Sequence, residues 1–437
     1  MRKVAVASSL ALAVVAAGAL VPVYVGYKAK HALLNFQHAE LGGWLIDHNI
    51  ERYDSGYLTS RARGTMTVDA GIGPVELAVE HRIEHAFKPR VHTTFQLRPI
   101  GDSEVHELLY DVFGEQAFLT TDTRPSDAGW TMDVAMVSVE KPLPDGGPML
   151  AFKGMSGELI FKDGAMNGSF VVQPLRLFDD DGGVEASAQR ISFETGDAAD
   201  TLATGSASYE IERLSVDSPE MSFALNDIVL KQSQTLYGEF FFSEAALRVR
   251  TAEIGERQIH DIKLLAKGER LHRELLDYLI QIGREHPSES ALLNANFETV
   301  RPLVTRFLEQ RPSMSVQLSF GPETDPTASL SWRLAYHQPS GMPVRLEQPE
   351  LLIAGLDLGA LATFKTSALD ELVKLSDGEL ESIDELIDAL AALEEEGYVV
   401  RDDAGYRIKL DFAKGELLIN DAPRPELLMM LAPFLAM

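Results

Sequence analysis

Beyond its first residues the chain alternates apolar and polar side chains with a period of two, and such alternation predicts strands. Ala62, Gly64, Met66 and Val68 interleave with Arg63, Thr65, Thr67 and Asp69, and Val75, Leu77 and Val79 repeat the pattern. Similar runs lie near residues 152–161, 170–177 and 214–230, separated by clusters such as Asp145-Gly146-Gly147-Pro148, Asp163-Gly164 and Asp179-Asp180-Asp181-Gly182-Gly183. Short strands joined by turns of this chemistry make an antiparallel meander with one buried face and one wet face. The clearest hairpin is near the end, where Tyr406, Ile408, Leu410 and Phe412 alternate with polar residues. Lys414-Gly415 then turns the chain into Leu417, Leu418 and Ile419.

Helical spacing interrupts the strands. Leu33, Leu34, Phe36, Leu41, Trp44 and Leu45 predict a helix from Lys28 to about His48. Leu271, Leu275, Leu279 and Ile282, followed by Leu292, Phe297, Val300, Val304, Phe307 and Leu308, predict a helical hairpin closed at His286-Pro287 and Arg311-Pro312. Leu380, Ile383, Ile387, Leu390 and Leu393 stripe a further helix from about Asp377 to Glu396. The expected fold is α+β and β-rich: an N-terminal transmembrane helix, extended antiparallel sheet regions, a helical hairpin insertion, and a C-terminal helix plus β-hairpin. The expected division is an anchor over 1–27, a helix and β-meander over 28–267, the hairpin over 268–311, and a C-terminal β region with its amphipathic helix over 312–437.

The membrane expectation rests on Val4 to Tyr27, which holds no charged residue. At ~1.5 Å per residue this run covers about 36 Å, more than a hydrocarbon core of roughly 30 Å. Ala17-Gly18-Ala19 offers the alternative of a cleaved leader, but Leu20, Val21, Val23, Tyr24 and Val25 continue the apolar run past it. Arg2 and Lys3 on one side nearly balance Lys28, Lys30 and His31 on the other. A short basic stretch ahead of an apolar run is also the form of an export signal. The expected location is therefore the inner membrane, single-pass, with the body in the periplasm, or a soluble periplasmic protein if the leader is removed.

Composition narrows the chemistry. Apolar residues at 45% and charged residues at 24% suit a folded body. Lys plus Arg number 39 against 66 Asp plus Glu, a net charge of −27, and a field of that sign argues against nucleic acid and against electrostatic adhesion to anionic lipid. The absence of cysteine excludes disulfides, thiolate catalysis and Cys-ligated metal.

His81-Arg82-Ile83-Glu84-His85 matches the H-x-x-E-H pattern of some zinc proteases, which work from a helix. Here Val75, Leu77 and Val79 set a strand period, sending His81 and His85 to one face and Glu84 to the other, so these read as histidines of a surface strand. Asp179-Asp180-Asp181-Gly182-Gly183 places Leu177 where a calcium loop needs its first ligand and reads as a solvated turn. Glu379, Glu381, Asp384, Glu385, Asp388 and Glu394-Glu395-Glu396 fall on the wet side of an amphipathic helix. Gly154-Met155-Ser156-Gly157 misses the nucleophile elbow by one position. No catalytic, cofactor-binding or metal-ligating residues are assigned, and no cofactor is expected.

The block Tyr53-Asp54-Ser55-Gly56-Tyr57-Leu58-Thr59-Ser60 after an apolar N-terminal run, with a C-terminal run from Glu396-Gly397-Tyr398-Val399 through Gly405-Tyr406 to Gly415-Glu416-Leu417-Leu418-Ile419-Asn420, resembles the YdgA-like envelope proteins grouped under domain of unknown function 945. Relatives tend to close the last hairpin with Asn-Gly, where this chain has Asn420-Asp421. The resemblance implies inner-membrane or periplasmic placement, a β-rich body and no established reaction. A looser similarity of design links the chain to AsmA-like envelope proteins, in which a membrane helix precedes a long β-sheet groove thought to handle lipids. Three expectations follow: a noncatalytic protein handling lipid or another apolar ligand in a sheet groove, an assembly module recruiting another envelope protein, or a hydrolase with a noncontiguous site.

Overall fold

The structure, a computed structural model, describes residues 24–427 apart from 42–43, 70–72, 100, 102, 128, 197–203, 220–221, 256, 286–296, 323–324, 339–343, 370–382 and 426. Most of the expected anchor therefore lies outside the described residues, and among these no helix is long and apolar enough to cross a membrane. The chain divides into two compact units, Met1–Glu220 and Met221–Met437.

The N-terminal unit opens with helix α1 (residues 24–35), followed by β1 (His38–Leu41), β2 (Trp44–Asp54), β3 (Thr59–Asp69), β4 (Pro74–Glu84) and β5 (Arg90–Leu97). The helix expected to reach His48 thus stops at residue 35, and Leu41, Trp44 and Leu45 belong to strands. Gly42-Gly43 carries the largest helix penalty short of proline. Beyond it His48 is buried while Asp47, Asn49 and Glu51 are exposed, a period of two that outweighs the helical spacing of the leucines.

Helix α2 (Glu104–Phe113) was not expected within the meander. Its signal is Ser103, whose Oγ accepts the His106 N–H at 3.1 Å and caps the first turn. Phe113 then joins Leu77, Val79, Leu97, Phe118 and Val139 in the core of this unit. His106 is buried with both ring nitrogens engaged: Nδ1 accepts the Glu76 N–H at 3.1 Å, and Nε2 donates to the Arg98 carbonyl at 2.9 Å.

Strands β6 (Ala117–Ser126), β7 (Gly129–Met136), β8 (Val139–Pro142), β9 (Met149–Phe152), β10 (Met155–Lys162), β11 (Ala165–Val172), β12 (Leu175–Asp179), β13 (Gly182–Ala186), β14 (Gln189–Thr195) and β15 (Gly205–Asp217) complete the unit. All the pairings are antiparallel. The chain order holds from β1 to β7, then continues β10, β11, β14, β15. The short strands run alongside as β8, β9, β12, β13 and β15. Each of four long strands is thus broken by two residues, at Val137-Ser138, Lys153-Gly154, Gln173-Pro174 and Ser187-Ala188, and the breaks align into one crease. Pro174 has no N–H for a ladder. Gly154 sits at φ 96°, where the Met136 carbonyl oxygen would lie 2.7 Å from any Cβ. The crease is bridged by Gln173 N–H to Gly154 O at 2.9 Å and Lys153 N–H to Pro174 O at 3.2 Å.

In the C-terminal unit β16 (Ser222–Tyr237), β17 (Phe240–Ile254), β18 (Arg257–His272), β19 (Ser313–Phe320), β20 (Ala328–Tyr336) and β21 (Leu356–Phe364) pair in chain order. Between β18 and β19 stand α3 (Arg273–Glu285) and α4 (Phe297–Glu309), which pack on each other and on β18; Leu271, expected in the first helix, lies in β18 instead, and Leu292 and the closure at His286-Pro287 lie outside the described residues. Helix α5 (Pro349–Gly355), too short for a periodic signal, precedes β21. Helix α6 (Ile383–Glu395) sets Leu390 into a core with Leu369, Val399 and Tyr406.

Strands β22 (Val400–Asp402), β23 (Gly405–Ala413), β24 (Glu416–Ile419) and β25 (Ala422–Pro423) end the sheet, with β23 paired to β21 on one edge and to β22 and β24 on the other. Asn420 and Asp421 both have positive φ, 48° and 64°, the geometry of a type I′ turn. Asn420 Oδ1 accepts the Lys409 N–H at 2.9 Å, and its Nδ2 donates to the Gly397 carbonyl at 3.1 Å, so the asparagine ties the turn to the residues after α6.

Gly154→Ala is expected to cost about 2 kcal/mol in urea denaturation, from left-handed strain together with backbone collision. Gly415→Ala, at φ 80° with open space around it, should cost only about half that. Equal losses would show that the Met136 carbonyl does not constrain the crease.

Candidate functional site

The antiparallel register of the C-terminal sheet separates its side chains by chemistry. Leu230, Leu247, Leu264, Leu318, Leu330, Ala362 and Ile408 stand side by side across β16, β17, β18, β19, β20, β21 and β23. The next row on this face holds Gln232, Ala245, Ala266, Val316, Trp332, Ala360, Leu410 and Ile419, and the one beyond it Gln234, Ser243, Gly268, Met314, Leu334, Leu358, Phe412 and Leu417. Helix α6 covers one end, where Leu386, Ile387 and Leu390 meet Phe364, Tyr406 and Ile408. The middle is open: Leu318 is 38% exposed and Leu330 45%.

A run of exposed leucines flanked by apolar neighbours is unusual on a folded protein surface and marks a contact surface. The ladder consumes the backbone N–H and C=O groups beneath it, so from β18 onward these rows offer a ligand little beyond hydrocarbon, the polar Gln232, Gln234 and Ser243 lying at the β16–β17 end. It suits a partner that needs no polar recognition.

The opposite face carries the charges. Arg248 and Lys263 share a row with Ser319, Ser329, Thr363 and Arg407. A shallow trough of about 530 Å³ lies on this side, lined by Lys267, Gln317, Arg333, Lys409 and Asp411 among others. Its cations are already paired: Lys267 with Glu244 at 2.9 Å, Arg333 with Asp357 at 3.1 Å, and Lys409 with Asp411 at 2.8 Å and Asp421 at 2.7 Å. The two carboxylates raise the Lys409 pKa, and Lys409 in turn lowers that of Asp421.

In the N-terminal unit the H-x-x-E-H residues lie on β4 and just beyond it, not on a helix. His81 and His85 do share a face and Glu84 takes the other, but the expectation of surface histidines is overturned, since both are buried. Helix α1 accounts for His85, and His81 lies against His48 and Thr93. Gly26 packs so closely on His85 that a Cβ there would stand 2.5 Å from the ring, and the Phe36 ring at the end of the segment lies over His48. Periodicity identified the shared face; it carried no information about the helix that folds back over it.

His48, His81 and Thr93 form a chain of hydrogen bonds with one neutral proton arrangement. His48 Nδ1–H donates to the Phe36 carbonyl at 3.1 Å, leaving its Nε2 to accept from His81 Nε2–H at 3.2 Å. His81 Nδ1 then accepts the Thr93 hydroxyl at 2.9 Å. Burial, and next the nearby His48, lower the His81 pKa to about 4, and burial lowers that of His48 against the pull of the Phe36 carbonyl. His85 Nδ1 donates to the Tyr57 carbonyl at 3.0 Å, while His85 Nε2 and Ser60 Oγ, both buried, have no hydrogen-bond partner among the described residues. The described residues contain no group of three His, Asp or Glu side chains arranged to hold a metal ion.

Asp179-Asp180-Asp181 forms the exposed turn between β12 and β13, with Asp179 Oδ1 accepting the Asp181 N–H at 2.9 Å. Asp384, Asp388, Glu394, Glu395 and Glu396 are exposed on and just after α6, and Glu379 and Glu381 lie outside the described residues. Ser156 is an exposed ladder residue of β10.

Fold and face define a class: an antiparallel β-sheet protein whose first described helix packs against buried histidines, and whose second unit leaves one apolar sheet face partly bare. The chain belongs to the family described as Bacterial protein of unknown function (DUF945), which it matches over residues 1–426. Comparison with curated proteins and with solved structures gave no match. Of the sequence blocks that pointed to the family, Tyr53–Ser60 forms the turn that receives α1: Tyr57 supplies the carbonyl to His85, and the Tyr53 hydroxyl reaches the Gly26 carbonyl at 3.5 Å.

The histidine chain sets a pH dependence. The folded pKa of His81, about 4, lies below its ordinary 6.5, so the unfolded chain takes up the proton first as pH falls. Stability is then lost through that window and retained above it. Between pH 7 and 4.5 this residue should account for about 2.5 kcal/mol. His81→Gln should therefore lose less stability than the parent over that interval in urea denaturation, and identical losses would show that the chain does not hold His81 neutral.

Proposed function

We propose that this is a noncatalytic protein, anchored in the bacterial inner membrane by its N-terminal apolar run, whose body lies in the periplasm and binds acyl chains on the bare face of the C-terminal sheet. The observation that carries the reading is the row from Leu230 to Ile408, with Leu318 and Leu330 open to solvent. Hydrocarbon is the ligand chemistry that such a face recognises, because each methylene removed from water contributes about 0.8 kcal/mol without needing a polar partner. The uncharged segment from Val4 to Tyr27 supports a place beside a lipid source. Recruitment of another envelope protein through the same face is the competing reading, and the test below separates the two.

The full-length chain in phospholipid vesicles containing a diazirine-tagged acyl chain is irradiated, and the adducts are mapped by peptide mass spectrometry. Adducts are expected on β19 and β20. Leu318→Glu with Leu330→Glu should reduce them several-fold, while Ser315→Glu with Ser331→Glu on the polar face leaves them unchanged. Adducts confined to the first 35 residues would contradict acyl binding and favour a protein partner for this face.

A further inference from the structure

The antiparallel order brings two turns of the N-terminal unit to one end of its sheet. Thr59 pairs with Glu84, Asp54 with Arg61, and Glu84 with Arg90, so the β2–β3 turn and the β4–β5 turn lie side by side. Their tips are apolar and bare: Phe87 is 87% exposed, Leu58 61% and Tyr57 55%. Trp130, partly exposed, starts β7 at the same end, opposite Pro125. None of these side chains belongs to the core of the unit. Where the strands run out at the other end, α2 caps them instead.

Helix α1 begins at this end. Gly26 packs on His85 beside the β4–β5 turn, the Tyr53 hydroxyl bonds its carbonyl, and Tyr24 and Tyr27 are exposed. The uncharged run from Val4 to Tyr27 therefore reaches the folded body where Tyr57, Leu58 and Phe87 are. Tyrosine and tryptophan favour the boundary between hydrocarbon and water, where the ring is partly desolvated and the polar group stays wet. Lys28, Lys30 and Lys88 stand among them, on stems long enough to keep their charge in water beside buried rings. Apolar insertion answers the objection raised by the net charge of −27, because it needs no electrostatic attraction to the bilayer.

We infer that this end of the N-terminal unit is a bilayer-docking surface, with Tyr57, Leu58 and Phe87 inserted at the level of the lipid headgroups. The inference rests on the proposed membrane anchor and is independent of acyl binding by the C-terminal face. It makes the sheet stand end-on to the membrane instead of hanging from a free tether.

The parent chain has no cysteine, so single positions can be labelled. Leu58→Cys, Phe87→Cys and, just beyond α2 at the opposite end, Gln116→Cys are each coupled to an environment-sensitive fluorophore. The full-length chain is then placed in vesicles of phosphatidylethanolamine and phosphatidylglycerol. Labels at 58 and 87 should be quenched several-fold more by lipids with a nitroxide near the headgroup, and less by aqueous iodide, than the label at 116. A label at Lys88→Cys guards against the probe itself driving insertion: iodide quenching there should rise several-fold when Leu58→Asp and Phe87→Asp are added. Labels at 58 and 87 as open to iodide as that at 116, on a chain that floats with the vesicles, would overturn docking and leave the anchor standing. A chain that does not float would overturn both.

Discussion

Antiparallel backbone pairing is the constraint from which the rest of this molecule follows. Once successive strands satisfy their N–H and C=O groups in a ladder, residue parity decides which face each side chain takes, and register decides which side chains stand together. In the C-terminal sheet, parity sends most of the leucine, valine and isoleucine to one side and the lysine and arginine to the other, with Leu265 and Leu361 as exceptions among the charges. The leucine row from β16 to β20 is therefore a product of register, assembled from residues scattered over a hundred positions. A one-residue slip in any strand would put its apolar set among the ion pairs on the wet side, so the face and the stability of the sheet are protected by the same register.

The N-terminal unit meets the same constraint differently. Its sheet is interrupted along the crease at Gly154 and Pro174, and α1 and α2 cover parts of it. The buried groups near the end of α1 are polar: His48, His81 and Thr93 bond in series to the Phe36 carbonyl. A hydrogen-bonded chain of neutral groups is stable in a low-dielectric site only while every member keeps its partner and none takes a proton. The seating of Phe36, just after α1, is therefore linked to the protonation of His48, which its ring and carbonyl both contact.

Legibility in the sequence followed the range of the interactions concerned. The terminal hairpin from Tyr406 to Ile419 was plain because alternation, turn chemistry and strand length agree locally. The insertion of α3 and α4 was plain because its leucine stripes lie in single segments. Helix α2 has a short stripe and its best signal is one capping serine, and the segment after residue 35 carries leucines at helical spacing whose pull toward a helix is overridden from Gly42-Gly43 onward by period-two burial. Asp384, Asp388, Glu394, Glu395 and Glu396, like the Asp179–Asp181 turn, are solvated charges set by local pattern. The burial of His85 depends on a helix nearly sixty residues earlier in the chain, and the leucine row depends on the register of five strands. Neither can be read from a local window, which is why the candidate site emerged only from the fold.

The proposed function requires the C-terminal face to be a lipid surface and not an ordinary core face lacking its cover. Native mass spectrometry of the full-length chain, extracted from membranes in mild detergent, measures this directly. The prediction is a bound population with the masses of acyl lipids, which survives gentle activation and disappears when Leu318 and Leu330 are replaced by glutamate. A parent chain that carries no such mass under the gentlest conditions, or one whose adducts persist unchanged in the double variant, would contradict it.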